Sequence, residues 1–464
     1  MFLVQAFTHA LVIYILHLST NLFVQKRRSS FLYYSLSVFI LFSILCFLVH
    51  TLFDFPFLSR LPVYFCYTCF TLYIYLILLG KANVFFLYPI RFLIIFPASF
   101  FFSTTLLSFI LLPFMFFFPR HVSAISSLIS FLGFFFTYYI KKDLLTIDLT
   151  QRDVATEPKS PHNRFSPFPF LYKCSLPPKN QVLDRSDCCL DEEVNELRIV
   201  QLSDLKVGSN SNVKKLRDVV QKAVDYDPDL IVITGDIISP EFCKFPAVLS
   251  HVMEPLTKFS GKVFAVYGNT DHLYHGAVKH LYRSLGIVLL RDKEALVHTR
   301  AGPVQIIGSD FKILNSQSEI RRLVWKFPPV PRHFRLLLIH DGSICRHLPL
   351  AKMSSAVDRS EALKAAQKDF VEGVESKQPG DEGMAVDLIL SGHTLGGQIG
   401  LIFSRYWDVL RVLINVPTRN LWRRGHNVMY VNRGLGVFGF PLRLFNFPEF
   451  SFLKVRFNSL KDEE

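Results

Sequence analysis

Hydrophobicity divides the chain into two materials near residue 140. Before that point five almost purely apolar stretches, about 2–24, 31–53, 62–80, 92–118 and 122–140, follow one another with short polar breaks. Each approaches the ~20 residues needed to cross a bilayer as a helix. Almost nothing polar is left in them to form a wetted face, which argues against a buried soluble core. Pro97 and Pro113 kink the fourth stretch or move its start toward Val84, and neighbouring helices satisfy the backbone groups that proline frees. The first stretch has no basic start and no clear small-residue cleavage site, so it is expected to remain as an anchor.

After residue 140 the periodicity is that of an α/β domain. Residues 141–194 read as a linker, interrupted between Asp148 and Leu190 by Pro161, Pro167, Pro169, Pro177 and Pro178. From 195 to 460, short β-branched or apolar runs each end in a side chain with a metal-ligand atom. Leu202-Ser203-Asp204 closes the first and Thr234-Gly235-Asp236 the second. Tyr267-Gly268-Asn269-Thr270-Asp271-His272 closes the third, and Ile339-His340-Asp341-Gly342 the fourth. The fifth, 386–390, opens into Ser391-Gly392-His393-Thr394-Leu395-Gly396-Gly397-Gln398. One such strand end is routine and a loop histidine is ordinarily solvated. Five in order place oxygen and imidazole donors where α/β proteins bind ligands.

The order of these motifs resembles the calcineurin-like metallophosphoesterases, whose pattern runs Asp-x-His, Gly-Asp, Gly-Asn-His-Asp/Glu, a lone His, then Gly-His-x-His. The resemblance covers roughly 195–457, and Tyr430 to Gly436 with Pro441-Leu442-Arg443 looks like the tail of membrane-associated members. It implies two mixed sheets packed face to face and flanked by helices, and the apolar stretches place a helical transmembrane region before this α/β domain. It also implies a hydrolase of phosphoesters using two metal ions that share a carboxylate and clamp a phosphoryl oxygen. By correspondence Asp236 is the shared carboxylate, and Asn269, His340 and His393 complete one ion's ligands. The other ion would need Asp204, Asp236 and two further histidines, and the chain has Lys206 and Leu395 at those two places.

Both departures strike one ion and spare the other, so one divalent ion is expected rather than two. Leu395 offers no donor atom, and an ammonium offers no lone pair. Two placements of Lys206 follow: near Asp204 and Asp236, replacing part of the missing charge, or outward on a solvated loop. A third departure puts Thr270 where the family has its proton-transferring histidine, and a hydroxyl is a poor acid near neutrality. His272, two residues on, would replace it only if the loop shifts; His275 and His280 are expected on the surface of a helix. No residue is assigned a catalytic role from the sequence.

Charge adds topology rather than a nucleic-acid partner. Of the net charge of +13, seven basic residues against one acidic precede Lys141. They cluster at 26–28 and at 81 and 91, with Lys141 and Lys142 after the fifth stretch, on the side that the positive-inside rule places in the cytosol. The phosphoesterase-like domain is therefore expected to be cytosolic. The rest of the chain carries only a mild basic excess, 44 against 37. Arg419, Arg423 and Arg424 beside Trp422 read either as a solvated loop or as a contact for anionic headgroups. Eight cysteines give no zinc framework; Cys66 and Cys69 are packing residues of the third stretch. A charged stretch at 352–383 reads as an insertion beside the site.

Three functions remain: a membrane-anchored phosphoester hydrolase with one degraded metal position, an inactive relative that binds a phosphorylated small molecule, lipid headgroup or protein, and a transport or scaffold element made by the spans. Transport is disfavoured by the lack of an acidic pair within the apolar stretches.

Overall fold

The computed structural model describes residues 91–110, 119–138, 141–148, 194–208, 211–239, 246–311, 322–324, 326–330, 332–343, 386–398, 416–424, 427–438 and 442–458, with 66, 69, 70 and 72. The apolar stretches at 2–24 and 31–53, the insertion at 352–383 and the linker from 149 to 193 lie outside them.

The chain divides into two units. In the first, a π-helical turn Arg91–Ile95 leads into α1, Phe96–Ile110, and α2 follows as Pro119–Tyr138. Among the described residues no helix is long and apolar enough to cross a membrane. Helix α2 has an inverted polarity, and α1 shares its buried hydroxyl groups. Ser99, Ser103 and Thr104 of α1 and Ser126 and Ser130 of α2 are buried, while Ile125, Leu128, Phe131 and Leu132 are exposed. Thr104 Oγ1 donates to Ser130 Oγ at 3.1 Å, tying the helices through their polar stripe. Cys69 is buried, as a packing residue should be, and Cys66 and Cys69 are free thiols.

Among the described residues, the second unit holds twelve strands in two six-stranded sheets. In chain order they are β1 Lys141–Asp148, β2 Val194–Leu202, β3 Leu230–Ile233, β4 Val263–Ala265, β5 Val288–Leu289, β6 Lys293–Thr299 and β7 Gly302–Gly308, then β8 Phe334–Asp341, β9 Leu388–Gly392, β10 Asn420–Arg424, β11 Asn427–Val431 and β12 Glu449–Asn458. The sheets run β1-β12-β2-β3-β4-β5 and β10-β11-β9-β8-β7-β6, each mixed. Strands β2 to β5 are parallel, as are β7, β8, β9 and β11. All four residues of β3 are buried, as expected of a central parallel strand covered on both faces.

The sheets face each other across one core. Ile199, Val232 and Phe264 from one side meet Ile306, Leu336, Leu388 and Val428 from the other. The second sheet's outer face packs Ile307, Leu337, Ile389 and Met429 against Leu323, Val324 and Phe327. Helix α3, Val213–Asp225, buries Leu216, Val219, Val220, Ala223 and Val224, the spacing of one helical face. Asn212 caps it by accepting from the Lys215 N–H at 3.1 Å.

The linker expected from residue 141 does not begin there. Residues 141–148 form β1, which pairs in parallel with β12 from Lys141↔Glu449 to Asp148↔Arg456. Its partner is some 300 residues away in sequence, a pairing that no local pattern reports, and Ile147 is buried in the common core.

Candidate metal centre

The strand-end residues converge at one edge of the two sheets. Several do so in the left-handed region of the backbone: Asp204 has φ 47°, Lys206 46°, Asp236 57°, His393 72° and Leu395 52°. Non-glycine residues rarely adopt this conformation, and clusters of them mark sites where function overrides local strain. The glycines between them are required by contact rather than by flexibility alone. A Cβ on Gly392 would collide with Ser203 Oγ and Asp204 Oδ2, and one on Gly268 with the Asp236 carboxylate.

Asp236, His340 and His393 form a cluster able to hold a metal ion, their donor atoms within 4.8 Å of one another. His340 Nε2 lies 3.3 Å from Asp236 Oδ2 and 3.1 Å from His393 Nδ1. The Asn269 side-chain amide completes the group. Its inward atom is 2.9 Å from Asp236 Oδ2, 3.2 Å from His340 Nε2 and 3.3 Å from His393 Nδ1. As nitrogen that atom has two hydrogens to share among these neighbours; as oxygen it adds a fourth lone pair to the set, which a bound cation would satisfy. Ligands held ~2.0–2.2 Å from one ion lie about 3.0–3.5 Å from each other, so the donor set fits a divalent metal.

The shell around these donors is ordered for that purpose. His340 Nδ1 meets the Thr234 carbonyl at 2.7 Å, which keeps its proton there and leaves Nε2 to the cluster. Asp271, buried, accepts from the N–H groups of Asp236 at 2.7 Å, Ile237 at 3.0 Å and Gly268 at 2.9 Å, joining two ligand loops. Burial and the adjacent Asp236 charge push its pKa up to about 7. Burial favours neutral His340, yet Asp236 outweighs it and raises the imidazole to about 9. Burial likewise opposes the Asp236 charge, but His340 and Lys206 hold that carboxylate well below its usual range. His393 is lowered by burial and by His340 beside it.

The other half of the expected site is filled differently. Lys206 is only 5% exposed, and its Nζ donates to Asp236 Oδ2 and sits 3.5 Å from Thr270 Oγ1. Of its two placements, the structure takes the inward one. Burial disfavours the ammonium, but Asp236 and Asp204 together raise its pKa. Asp204 accepts at Oδ2 from Ser203 Oγ, 2.6 Å, and from the His393 N–H, 2.9 Å, while its buried Oδ1 has no hydrogen-bond partner. Leu395 is buried and contributes only its carbonyl, to Arg443 and Asn446.

Thr270 is also committed. Its N–H donates to Asp236 Oδ1 at 2.8 Å, and its hydroxyl is 2.7 Å from both Asp236 Oδ1 and the Ile238 carbonyl. His272 does not take its place. The ring is directed away to Asp310, 2.5 Å from Nε2, in a group with Arg291 and Tyr267. His275 and His280 lie exposed on the helix His275–Ser284, as expected. The headgroup reading of the Arg419 region is corrected in part: Arg419 and Trp422 are buried, and the indole N–H donates to the Arg419 carbonyl at 2.8 Å.

One structural residue of the centre escaped the sequence reading. Arg443 is fully buried and donates to the carbonyls of Arg433, Gly434, Gly436 and Leu395, joining the Leu395 loop to the 433–436 loop. Its only signal was a lone arginine after Pro441-Leu442.

Comparison with known proteins agrees with the geometry. Residues 197–397 match the family model for calcineurin-like phosphoesterase. The chain is 28% identical over 269 residues to the uncharacterized metallophosphoesterase YkuE of Bacillus subtilis, covering 56% of this chain and 79% of that protein. It is 24% identical over 279 residues to a Danio rerio transmembrane protein with metallophosphoesterase domain, covering 59% of this chain and 56% of that protein. A solved phosphopantetheinyl hydrolase from Mycobacterium tuberculosis matches 51% of this chain and 89% of its own at 13% identity, with a TM-score of 0.26. The chain thus carries a calcineurin-like metallophosphoesterase domain on two mixed sheets.

Proposed function

We propose that this chain is a membrane-anchored phosphoesterase-fold protein that holds a phosphorylated ligand with one divalent ion and one lysine, where the family uses two ions. The observation that carries the reading is the Lys206–Asp236 ion pair inside the donor cluster. Asp236, Asn269, His340 and His393 would hold the ion, which when bound supplies Lewis acidity toward a phosphoryl oxygen. Lys206 supplies a fixed positive charge on the side where Leu395 leaves no ligand, and it neutralises a carboxylate pair that would otherwise repel. Thr270, bonded to Asp236 and Ile238, has no proton to give a leaving group. Phosphoester binding is thus retained while two-ion hydrolysis is lost.

The position of Lys206 also favours a second reading, a one-ion hydrolase in which the ammonium stabilises charge on the reacting phosphoryl group. Metal content and turnover separate the two. The purified full chain should carry one ion per chain and hydrolyse bis(p-nitrophenyl) phosphate near background. Robust metal-dependent turnover that disappears in Lys206→Met selects the second reading; two ions per chain sink both.

Membrane anchoring rests on the apolar stretches before residue 140 and on the polarity of α1 and α2. Both helices bury serine or threonine and α2 exposes leucine, isoleucine and phenylalanine, a pattern inverted for water and suited to lipid, where helix contacts use small and hydroxyl side chains. The basic residues after the first, third and fifth stretches favour a cytosolic domain. The ligand is a phosphorylated small molecule or a lipid headgroup, and nothing in the charge distribution favours nucleic acid.

A further inference from the structure

Beside the donor cluster lies an apolar recess that none of the metal donors uses. Leu205, Leu216, Leu435 and Val437 wall it next to the Lys206 side chain, and Lys215 stands at its polar side. It has room for a few methylene-sized groups, on the order of two or three water volumes. Phe438, the residue after Val437, is 50% exposed and its ring centre is 5.9 Å from Lys206 Nζ. On the opposite flank the Phe311 ring lies 5.6 Å from the His340 ring and 5.9 Å from that of His393. Phenyl rings thus lie within 6 Å of both the ammonium and the two imidazoles, and the apolar recess adjoins the Lys206 side chain.

A site for a small hydrophilic phosphate has no use for these surfaces. An exposed phenylalanine over an ammonium gains by covering apolar matter attached to the anion that the ammonium attracts. Lys215, exposed beside the recess, adds a second positive charge at that side. We propose that the ligand is a lipid phosphoester: its phosphoryl group meets both the ion held by the metal donors and the Lys206 ammonium, and the start of its apolar chain enters the recess beside Val437. This proposal rests on the one-ion phosphoester reading and names its substrate class.

The test uses the full chain in phosphatidylcholine nanodiscs, loaded with Mn²⁺, titrated with ethyl, butyl, hexyl and octyl phosphate. Affinity should rise about fourfold per methylene over the first few carbons and then flatten as the recess fills. Val437→Asn should flatten the early slope, and Phe438→Ala, a surface change that the fold tolerates, should reduce it. A slope identical in both variants reports partition into the bilayer and overturns the proposal, as does equal binding of ethyl and hexyl phosphate. Nanodiscs containing phosphatidate should displace hexyl phosphate and those of phosphatidylcholine alone should not; equal behaviour overturns the lipid assignment. If no alkyl phosphate binds in a metal-dependent way, the one-ion reading fails and takes this proposal with it. Binding without a slope removes this proposal alone.

Discussion

Lys206 Nζ donates to the same Asp236 oxygen that lies 3.3 Å from His340 Nε2, so one carboxylate oxygen faces an ammonium and a metal donor at once. The charge balance of the centre follows from that shared atom. An ion at the four-donor cluster meets a carboxylate already partly neutralised, which lowers the charge left to attract a second ion.

Metal content should depend on the cluster unequally. His393→Ala removes one donor of four and should empty the site, read by metal analysis of the purified chain. Asp204→Asn should retain the ion, because the amide oxygen can still accept from the His393 N–H now bonded to Asp204 Oδ2. Asp204→Ala should lower occupancy without abolishing it. An empty Asp204→Asn protein would mean that Asp204 itself is a ligand.

Metal affinity should rise with pH. Without an ion His340 is protonated up to about pH 9, and the ion must displace that proton to reach Nε2. Affinity should therefore increase about tenfold per pH unit between 7 and 9 and level above, measured with a metal-chelating indicator. Stability of the ion-free protein should run the other way. Because the folded pKa is raised above the unfolded value near 6.5, the His340–Asp236 contact stabilises fully below that pH. Its contribution is lost as pH rises through 9. Thermal melts in EDTA across this range would show it.

On the proposed one-ion reading, recruiting a second ion should require two changes together. Lys206→His with Leu395→His supplies both missing imidazoles, at positions whose positive φ histidine tolerates better than leucine. Each single variant should stay near background in phosphodiester turnover, and the pair should be strongly non-additive. Adding Thr270→His should raise turnover on the order of a further hundredfold. Additive single effects would show that the lysine and leucine are not what limits catalysis.

Arg443→Leu should cost about 3 kcal/mol or more, since it strips the hydrogen bonds from carbonyls of two loops in the buried centre. Chemical denaturation would record the loss. Arg443→Lys should recover part of it, as one ammonium cannot span all four acceptors.

A glycosylation acceptor placed between residues 149 and 190 should stay unmodified in microsomes, as the basic loops require of a cytosolic domain. Efficient glycan addition would reverse the orientation.

How much of this was legible depended on distance along the chain. Asp236, Asn269, His340 and His393 could be found because each sits at the end of a short apolar run, a pattern contained within ten residues. The fate of Lys206 could not, because burial beside Asp236 is a balance between desolvation and charge from loops remote in sequence. For the same reason His272 looked available until Asp310, 38 positions later, was seen to hold it. Arg443 was invisible as a structural residue: its acceptors are carbonyls, which leave no trace in side-chain identity.

The pairing of β1 with β12 also sets an order of events during synthesis. Lys141 leaves the ribosome about 300 residues before Glu449, and at about 5–20 residues per second the strand waits some 15–60 s for its neighbour. Throughout that interval β1 has an open edge and β2 lacks the strand that separates it from β1. The last described strand thus acts as a closing wedge, and a nascent protein stalled short of residue 449 would present an unpaired β1 and one open edge of β2 to any chaperone or neighbouring copy.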